Sequence, residues 1–152
     1  MFTNSLIIFA LSKMIMVGSN SHTLFLSLLL LASLVAVSEG LGIFTYRHVY
    51  VKNDLDNNTL LIAHCKSKNV DVGVQNLHYQ EEFKFQFKPD FWGTTLYFCG
   101  LTWDGTLHWF DIYDQDRDNQ ACKDCKWSIQ RSQPCRFNFK TEKYDLCDYK
   151  YH

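Results

Sequence analysis

The sequence predicts an all-β protein, a small antiparallel β-sandwich of about seven or eight strands stapled by disulfides. Three observations indicate this fold. Short segments alternate apolar and polar residues with a period of two, and turn-forming residues separate these segments at short intervals. All six cysteines lie in the C-terminal two thirds of the chain, and no helical periodicity is evident after Gly40. These features predict one β domain without an internal repeat.

The first 38 residues differ in composition from the rest of the chain. Their one charged side chain is Lys13, and residues 23–37 form an almost wholly apolar run that is followed by Ser38, Glu39 and Gly40. A helix needs about 20 apolar residues to cross a bilayer, so this run is short for an anchor. We predict that residues 1–38 are a cleaved signal peptide and residues 39–152 the mature domain, with no membrane span after cleavage. The alternative is an uncleaved signal anchor.

Charge and cysteine content indicate the compartment and exclude one class of partner. The whole chain has a net charge of −1, and removal of Lys13 with the leader leaves about −2. A nucleic-acid-binding domain would normally show a basic stripe, so we expect no nucleic-acid partner. An even number of cysteines in a small exported chain is typical of a disulfide framework, which forms in oxidising compartments. The sequence therefore predicts a secreted, extracellular protein.

Eight segments have strand-like patterns. In residues 83–88 three phenylalanines alternate with Lys, Gln and Lys, as expected for a strand with one buried face. Asp104-Gly105 lies between two aromatic segments, a combination that favours a two-residue hairpin turn. The predicted strands cover residues 48–51, 59–65, 83–87, 94–99, 107–113, 125–129, 135–139 and 144–149.

The cysteines are predicted to form structural disulfides rather than a reactive or metal site. They are Cys65, Cys99, Cys122, Cys125, Cys135 and Cys147. Cys135 and Cys147 flank a predicted hairpin, so we expect them to pair. The other four allow three connectivities, including a tight bridge within Cys122-x-x-Cys125. A redox pair at Cys122-x-x-Cys125 and a zinc site formed with Cys135 and Cys147 are the less favoured alternatives.

Polar loops carry the remaining candidate sites. Asn57-Asn58-Thr59 is an N-x-S/T sequon, which makes Asn57 a candidate glycosylation site. The acidic residues of 111–118 lack the Gly and distal Glu of a calcium loop, so we interpret them as a solvated, partner-facing loop. His64 is interpreted as a packed or hydrogen-bonded strand residue. No nucleophile or metal motif is present, and we predict no catalytic residue, no metal and no cofactor.

Loops on a rigid sandwich are the expected positions for partner contacts. The candidate loops are residues 54–58, 69–75, 89–93, 102–106 and 114–119. Within them we single out six residues as candidates for partner binding: Asp71, Trp92, Trp103, Asp104, Asp116 and Arg117. Trp92, Tyr97, Trp103 and Trp109 could form an exposed aromatic patch, although most aromatic residues of a small sandwich are needed for the core.

Several short motifs occur in the order found in one plant family. They are His64-Cys65-Lys66-Ser67-Lys68 with Asp71-Val72-Gly73, Thr94-Thr95-Leu96-Tyr97-Phe98-Cys99, Phe110-Asp111-Ile112-Tyr113, Arg117-Asp118, and Cys122-Lys123-Asp124-Cys125-Lys126-Trp127. Through these motifs the chain, from about residue 49 to residue 149, resembles the plant self-incompatibility S1 family of S-protein homologues. Val72 stands where the family often has Leu.

The resemblance implies a secreted, disulfide-bonded β-sandwich without catalytic activity. Founding members of the family are pistil proteins recognised by a pollen membrane receptor, whereas most relatives have no assigned role. We therefore expect a non-enzymatic extracellular signalling ligand recognised by a cell-surface receptor or another extracellular protein. The resemblance does not imply pollen rejection. The alternatives are a secreted defence or toxin-like protein, and a hydrolase whose site is assembled only in the fold.

Overall fold

The structure, a computed structural model, describes residues 21–40, 45–56 and 58–152. The chain divides into two compact units, Met1–Gly42 and Ile43–His152. In the first unit, helix α1 spans Ser21–Gly40 and contains the Leu-rich run. No helix among the described residues is long and apolar enough to span a membrane. The first half of the predicted signal peptide and the sequon residue Asn57 lie outside the described residues, so cleavage and glycosylation stay predictions.

The second unit is a sandwich of two β-sheets. Its elements are β1 (Arg47–Asn53), β2 (Leu61–Lys66), β3 (Asp71–Leu77), β4 (Glu82–Phe87), β5 (Leu96–Trp103), β6 (Thr106–Asp114), α2 (Gln115–Asp118), β7 (Asp124–Ile129), β8 (Pro134–Asn138) and β9 (Lys143–Leu146). A five-stranded sheet has the order β4-β1-β7-β8-β9, and a four-stranded sheet has the order β3-β2-β5-β6. The predicted all-β sandwich is therefore confirmed.

Two local assignments from the sequence were wrong. Residues 69–75, predicted as a loop, contain most of β3, which makes a ninth strand in addition to the eight predicted segments. Its pattern is hard to recognise because β3 lies at a sheet edge and includes Gly73, whose φ of +88° suits glycine. The predicted turn at residues 114–119 contains the one-turn helix α2, which Asp114 caps by accepting a hydrogen bond from the Asp116 N–H.

The strand pairs are antiparallel except one. Strand β7 pairs with β1 in parallel, with Tyr50 opposite Lys126 and Val51 opposite Trp127. The other side of β1 pairs with β4 in the antiparallel sense, with Tyr50 opposite Lys84. A parallel pair requires a long crossover, and the whole of β2 to β6 lies between β1 and β7 in the chain. The predicted antiparallel architecture therefore has one exception in the middle of the larger sheet.

The core lies between the two sheets and is rich in aromatic side chains. Alternate residues of β1, β5 and β7 point inward, as the period-two pattern of the sequence requires. Trp127 is fully buried and meets the Phe110 ring edge-on at a centroid distance of 4.9 Å. Such edge-to-face pairs are favourable beyond the area they bury.

Three disulfides crosslink this core. Cys65 and Cys99 lie directly opposite each other on β2 and β5, and the Cys65–Cys99 disulfide joins these neighbouring strands. A second disulfide closes the tight Cys122-x-x-Cys125 ring at the start of β7. The third joins Cys135 to Cys147, the pair expected from the hairpin between them. All six cysteines are thus in disulfides.

The C-terminal segment, residues 147–152, links one edge of the larger sheet to the smaller sheet. His152 exchanges backbone hydrogen bonds with Trp109 on the edge strand β6. Between these edges Tyr149 packs against Trp127 at a centroid distance of 4.7 Å. The Tyr151 hydroxyl donates a 2.6 Å hydrogen bond to the carbonyl of Gln130. The segment therefore closes this side of the sandwich and covers part of the β6 edge.

Candidate binding surface

The loops between strands gather at two ends of the sandwich. Strands β5 and β6 form an antiparallel hairpin. The turn at Asp104 joins them at one end of the sandwich, and the loop before Leu96 lies at the opposite end. We call the first the clasp end, defined by Asp56, Thr59, Asp104 and Arg131. We call the second the aromatic end, defined by the β4–β5 loop, the β2–β3 turn and helix α2. The six predicted binding residues are divided between these two ends.

At the clasp end, one arginine ties three connections together. Arg131 forms ion pairs with Asp56 and Asp104 and donates a 2.8 Å hydrogen bond to Thr59 Oγ1. Hydrogen bonds with Asp56, and then with Asp104, raise the pKa of Arg131. The hydrogen bond from Arg131 in turn lowers the pKa of Asp56. Asp104 is therefore exposed but already engaged by a neighbouring loop.

Trp103 corrects a sequence-based prediction. It was expected on an exposed loop, but it is the last residue of β5 and only 5% exposed. Its ring stacks on His108 at a centroid distance of 3.8 Å and meets Tyr151 edge-on. The Asp104-Gly105 turn, with φ of +50° and +76°, reverses the chain immediately after Trp103 and directs its side chain inward. Tyr97 is likewise buried, at 5% exposure.

At the aromatic end, two neighbouring aromatic side chains project into solvent. Trp92 is 83% exposed and Phe91 is 65% exposed. Their rings meet edge-on at a centroid distance of 5.4 Å. Exposed apolar side chains that lie together are typical of interaction surfaces. The sequence singled out Trp92 but missed Phe91, although both follow Asp90 in the same turn.

Hydrogen bonds hold the base of this loop. Asp90 Oδ1 accepts from the Thr94 N–H at 3.0 Å, and Asp90 Oδ2 accepts from the Thr94 hydroxyl at 2.8 Å. The Thr95 hydroxyl accepts from the Asp90 N–H and also donates to Asp90 Oδ2. The backbone and then the side chain of Thr94 lower the pKa of Asp90 below its ordinary value of 3.8. These short-range contacts fix the two stems of the loop while its tip stays exposed.

Helix α2 supports the same loop from the side. Gln115 Nε2 donates to the carbonyl of Asp90 at 3.0 Å, and Gln115 Oε1 accepts from the Thr95 N–H at 3.1 Å. Asp116 is exposed, and its Oδ1 lies 3.9 Å from where a Cβ atom on Gly93 would stand. Predicted binding residue Asp116 therefore lies beside the aromatic tip. The sequence alone did not identify the role of Gln115.

A shallow cleft of about 460 Å³ opens next to the tip. Its walls come from the β2–β3 turn on one side and from the residues between Asp90 and Phe98 on the other. Val70 and Leu96 are 48% and 41% exposed and give the cleft apolar walls. Lys68 and Asp90 supply one charge of each sign. The cleft therefore combines apolar walls with one charge of each sign.

Arg117, also predicted to bind a partner, is instead committed to the interior. It donates from Nε and Nη2 to the fully buried carboxylate of Asp118, at 2.9 and 2.6 Å. Arg136 donates to the same carboxylate at 2.8 Å. Burial disfavours the charge of Arg117, but the hydrogen bond and charge of Asp118 outweigh burial and raise the pKa of Arg117. Its guanidinium also lies over the Trp127 ring, 5.1 Å from the centroid.

Asp71 begins β3 rather than lying in a loop. It is exposed, and its Oδ1 accepts from the Gly73 N–H and contacts His64 Nε2, both at 2.8 Å. The Gly73 backbone and then the His64 side chain lower the pKa of Asp71. His64 is a hydrogen-bonded strand residue, as the sequence suggested. Among the residues that the structure describes, no group of three or more His, Cys, Asp or Glu side chains is arranged to hold a metal ion.

Comparisons with known proteins place the chain in a family. The family model of plant self-incompatibility protein S1 matches residues 48–150. S-protein homolog 2 of Arabidopsis thaliana is 44% identical over 106 residues, which are 66% of this chain and 66% of that protein. The chain thus spans about two thirds of that relative's length. S-protein homolog 18 of Arabidopsis thaliana is 40% identical over 122 residues, or 77% of this chain and 87% of the relative.

A solved structure of Self-Incompatibility Protein Homologue (SPH) proteins is 24% identical to the chain, with a TM-score of 0.49. The match covers 61% of this chain and 84% of the solved one. Those proteins are described as a widespread family of small, highly stable, secreted proteins from plants. The family-model match and the identities to the Arabidopsis proteins agree with the six motifs found in the sequence. The chain belongs to the plant self-incompatibility protein S1 family.

Proposed function

We propose that this chain is a secreted, non-enzymatic ligand that a cell-surface receptor or another extracellular protein recognises through the aromatic end. The observation that carries the proposal is the exposed Phe91–Trp92 pair on a loop whose base is fixed by hydrogen bonds. Aromatic anchors are the side chains on which protein interfaces most often depend. A loop already held in one conformation loses less entropy when it binds.

The leader and the disulfides support the extracellular part of this proposal. The apolar run of residues 23–37 has the length expected of a signal peptide, and three disulfides form most readily outside the cytosol. Expression of the full chain in a secreting host should release protein whose N-terminus lies near Glu39. Retention of the chain in membranes with residues 1–38 still attached would contradict secretion.

Binding to isolated plant membranes and to extracellular extracts tests the recognition surface. Trp92→Ala and Phe91→Ala should each weaken saturable binding, and Trp92→Ala by about 30-fold or more if Trp92 is an interface anchor. Folding should be unaffected because both side chains are mostly exposed. Trp109→Ala is the matched control, since Trp109 is 40% exposed but lies on the outer face of the smaller sheet. Equal affinity of all three variants and the wild type would refute this surface.

A further inference from the structure

A row of side chains on the outer face of the five-stranded sheet forms a second surface. The row consists of Lys84 on β4, Tyr50 on β1, Lys126 on β7 and Phe137 on β8, one residue from each of four neighbouring strands. Tyr50 stands directly opposite Lys84 on one side and Lys126 on the other. Because strands lie about 4.8 Å apart, the two lysines are about 10 Å apart at the backbone. We call these four residues the lysine–tyrosine row.

Cation–π contacts position both ammonium groups of the row. Lys84 Nζ and Lys126 Nζ each lie 5.5 Å from the centroid of the Tyr50 ring. Lys126 Nζ also lies 5.3 Å from the centroid of Phe137. The Tyr50 ring is thus flanked by an ammonium group from the strand on either side.

The charge of the row is not neutralised within the described part of the domain. Neither Lys84 nor Lys126 has a carboxylate within ion-pair distance among the described residues. Of the acidic groups that border the row, Asp124 contacts His48 and Asp54 contacts Lys52. Glu82 stands opposite Lys52 and precedes Lys84 by two residues on β4. The ammonium groups of Lys84 and Lys126 are therefore held by aromatic rings and not by these carboxylates.

We propose that the lysine–tyrosine row docks an acidic, extended segment of the protein that the aromatic end recognises. This inference rests on the proposed function and adds the charge of the partner to it. Ammonium groups bind carboxylates as point charges. The partner proposed above is a protein, so we assign these carboxylates to acidic side chains of that protein. An acidic polysaccharide is the competing occupant, and the test below distinguishes it.

An oligo-glutamate peptide is the probe for this surface. The protein secreted from the full chain is titrated with the labelled peptide at about 20 mM salt, where the Debye length is long. We expect saturable binding that weakens as salt rises to about 0.3 M. Lys84→Glu combined with Lys126→Glu should weaken binding about tenfold or more. Lys140→Glu combined with Lys150→Glu, at two exposed positions outside the row, makes the same change in net charge and should change binding by less than about twofold.

Two outcomes in the peptide assay would overturn the inference. Equal loss from Lys140→Glu combined with Lys150→Glu would mean that the peptide responds to net charge alone. Tighter binding of a polyuronate than of oligo-glutamate, lost in the double variant of Lys84 and Lys126, would assign the row to an acidic polysaccharide instead. Wild-type circular dichroism of the double variant checks that replacing exposed Lys84 and half-buried Lys126 leaves the fold intact.

The membrane-binding assay separates failure of this inference from failure of the proposed function. Weaker membrane binding by both Trp92→Ala and the double lysine variant supports the two surfaces together. Loss with Trp92→Ala but not with the double lysine variant leaves the proposed function standing and refutes the row as part of it. Absence of any membrane or extract binding, combined with row-dependent capture of oligo-glutamate, refutes the proposed ligand role while retaining an acid-binding surface.

Discussion

The two ends of the sandwich each contain one charged residue paired with two residues of opposite charge, but they differ in burial. At the clasp end, Arg131 is 39% exposed and its two aspartate partners are 62% and 57% exposed. At the aromatic end, the Asp118 side chain has no exposed surface, and its partners Arg117 and Arg136 are 28% and 13% exposed. One cluster is therefore an arginine between two aspartates in solvent, and the other is an aspartate between two arginines in the protein interior.

This difference in burial indicates at which end the stability of the fold depends on ion pairs. Ion pairs in water are weak because solvent and salt screen them, whereas removing one partner of a buried cluster leaves charges that water cannot reach. Two residues of the buried cluster, Arg117 and Asp118, belong to helix α2, and α2 also supports the Phe91–Trp92 loop through Gln115. We infer that the aromatic end presents its exposed rings on a rigid base, while the clasp end uses ion pairs mainly to align its loops.

Neutralising the buried carboxylate should have the largest effect and would test the comparison most directly. Asp118→Asn leaves two arginines near the core without a counter-charge, so we expect a loss of about 3–5 kcal/mol in the free energy of unfolding. Urea denaturation of the secreted protein measures it. Asp116→Asn, two residues earlier and exposed, should change stability little. Equal stability of both variants would show that burial of this cluster does not matter.

Removing the Cys135–Cys147 disulfide compares a covalent link with the exposed ion pairs of the clasp end as a source of stability. Cys135 and Cys147 join β8 to the residue after β9, across a separation of 12 residues. Replacing both by Ser frees this loop in the unfolded chain and should lower stability by about 2–4 kcal/mol or abolish secretion. Secretion yield and thermal melting are the measurements. Wild-type yield and melting would mean that the staple contributes nothing.

Alkaline pH should weaken the sandwich at two partly buried tyrosines, Tyr151 in the C-terminal segment and Tyr144 on β9. Burial raises the pKa of Tyr151 and, to about 12, that of Tyr144, from an ordinary value of 10.0. Their stabilising contribution is therefore complete below pH 10 and is lost as pH rises above it, because only the unfolded chain then releases these protons. Tyr151→Phe should make the decline shallower. A decline of the same steepness in this variant would exclude Tyr151 as a cause.

The smallest effect is expected at the exposed cluster. Arg131→Ala removes both ion pairs of the clasp end, yet the thermal midpoint should move only slightly, and the difference should vanish at about 0.5 M salt. Local hydrogen exchange around the Asp104-Gly105 turn should increase, because the turn loses its link to neighbouring loops. A destabilisation as large as that of Asp118→Asn would remove the contrast between the two ends.

The sequence predicted most strands because inward and outward residues alternate in them. Phe83, Phe85 and Phe87 show this in β4, and each of the eight predicted segments overlaps one strand of the sandwich. Strand β3 was not predicted because Gly73 and neighbouring polar residues obscure the alternation of apolar and polar side chains. The expected pairing of Cys135 with Cys147 depended on one local hairpin, whereas Cys65–Cys99 joins two strands 34 residues apart in the chain. Cys122–Cys125 is local, but the sequence left it open because four cysteines allow three connectivities.

Surface residues were predicted less well, since exposure depends on how elements pack. Trp103 and Arg117 both occur in polar, turn-like sequence, yet one stacks under His108 and the other pairs with a buried carboxylate. Trp92 was identified by its setting between Pro89 and Gly93, a turn that leaves a large side chain outside the strands. Gln115 supports the loop that carries Trp92 through hydrogen bonds with Asp90 and Thr95. These residues lie 25 and 20 positions from Gln115, so no local sequence pattern reveals the contacts.

By itself, the sequence determined the all-β class, the disulfide character and the family, because alternation, cysteine count and motif order are local properties of the chain. Tertiary structure decided which aromatic residues are exposed, which carboxylate is buried and which lysines meet across strands. Sheet order sets these features, and the parallel pairing of β1 with β7 brings Lys126 beside Tyr50 across more than 70 residues of chain. Long-range pairing of this kind is governed by the packing of the whole core, which no short segment encodes.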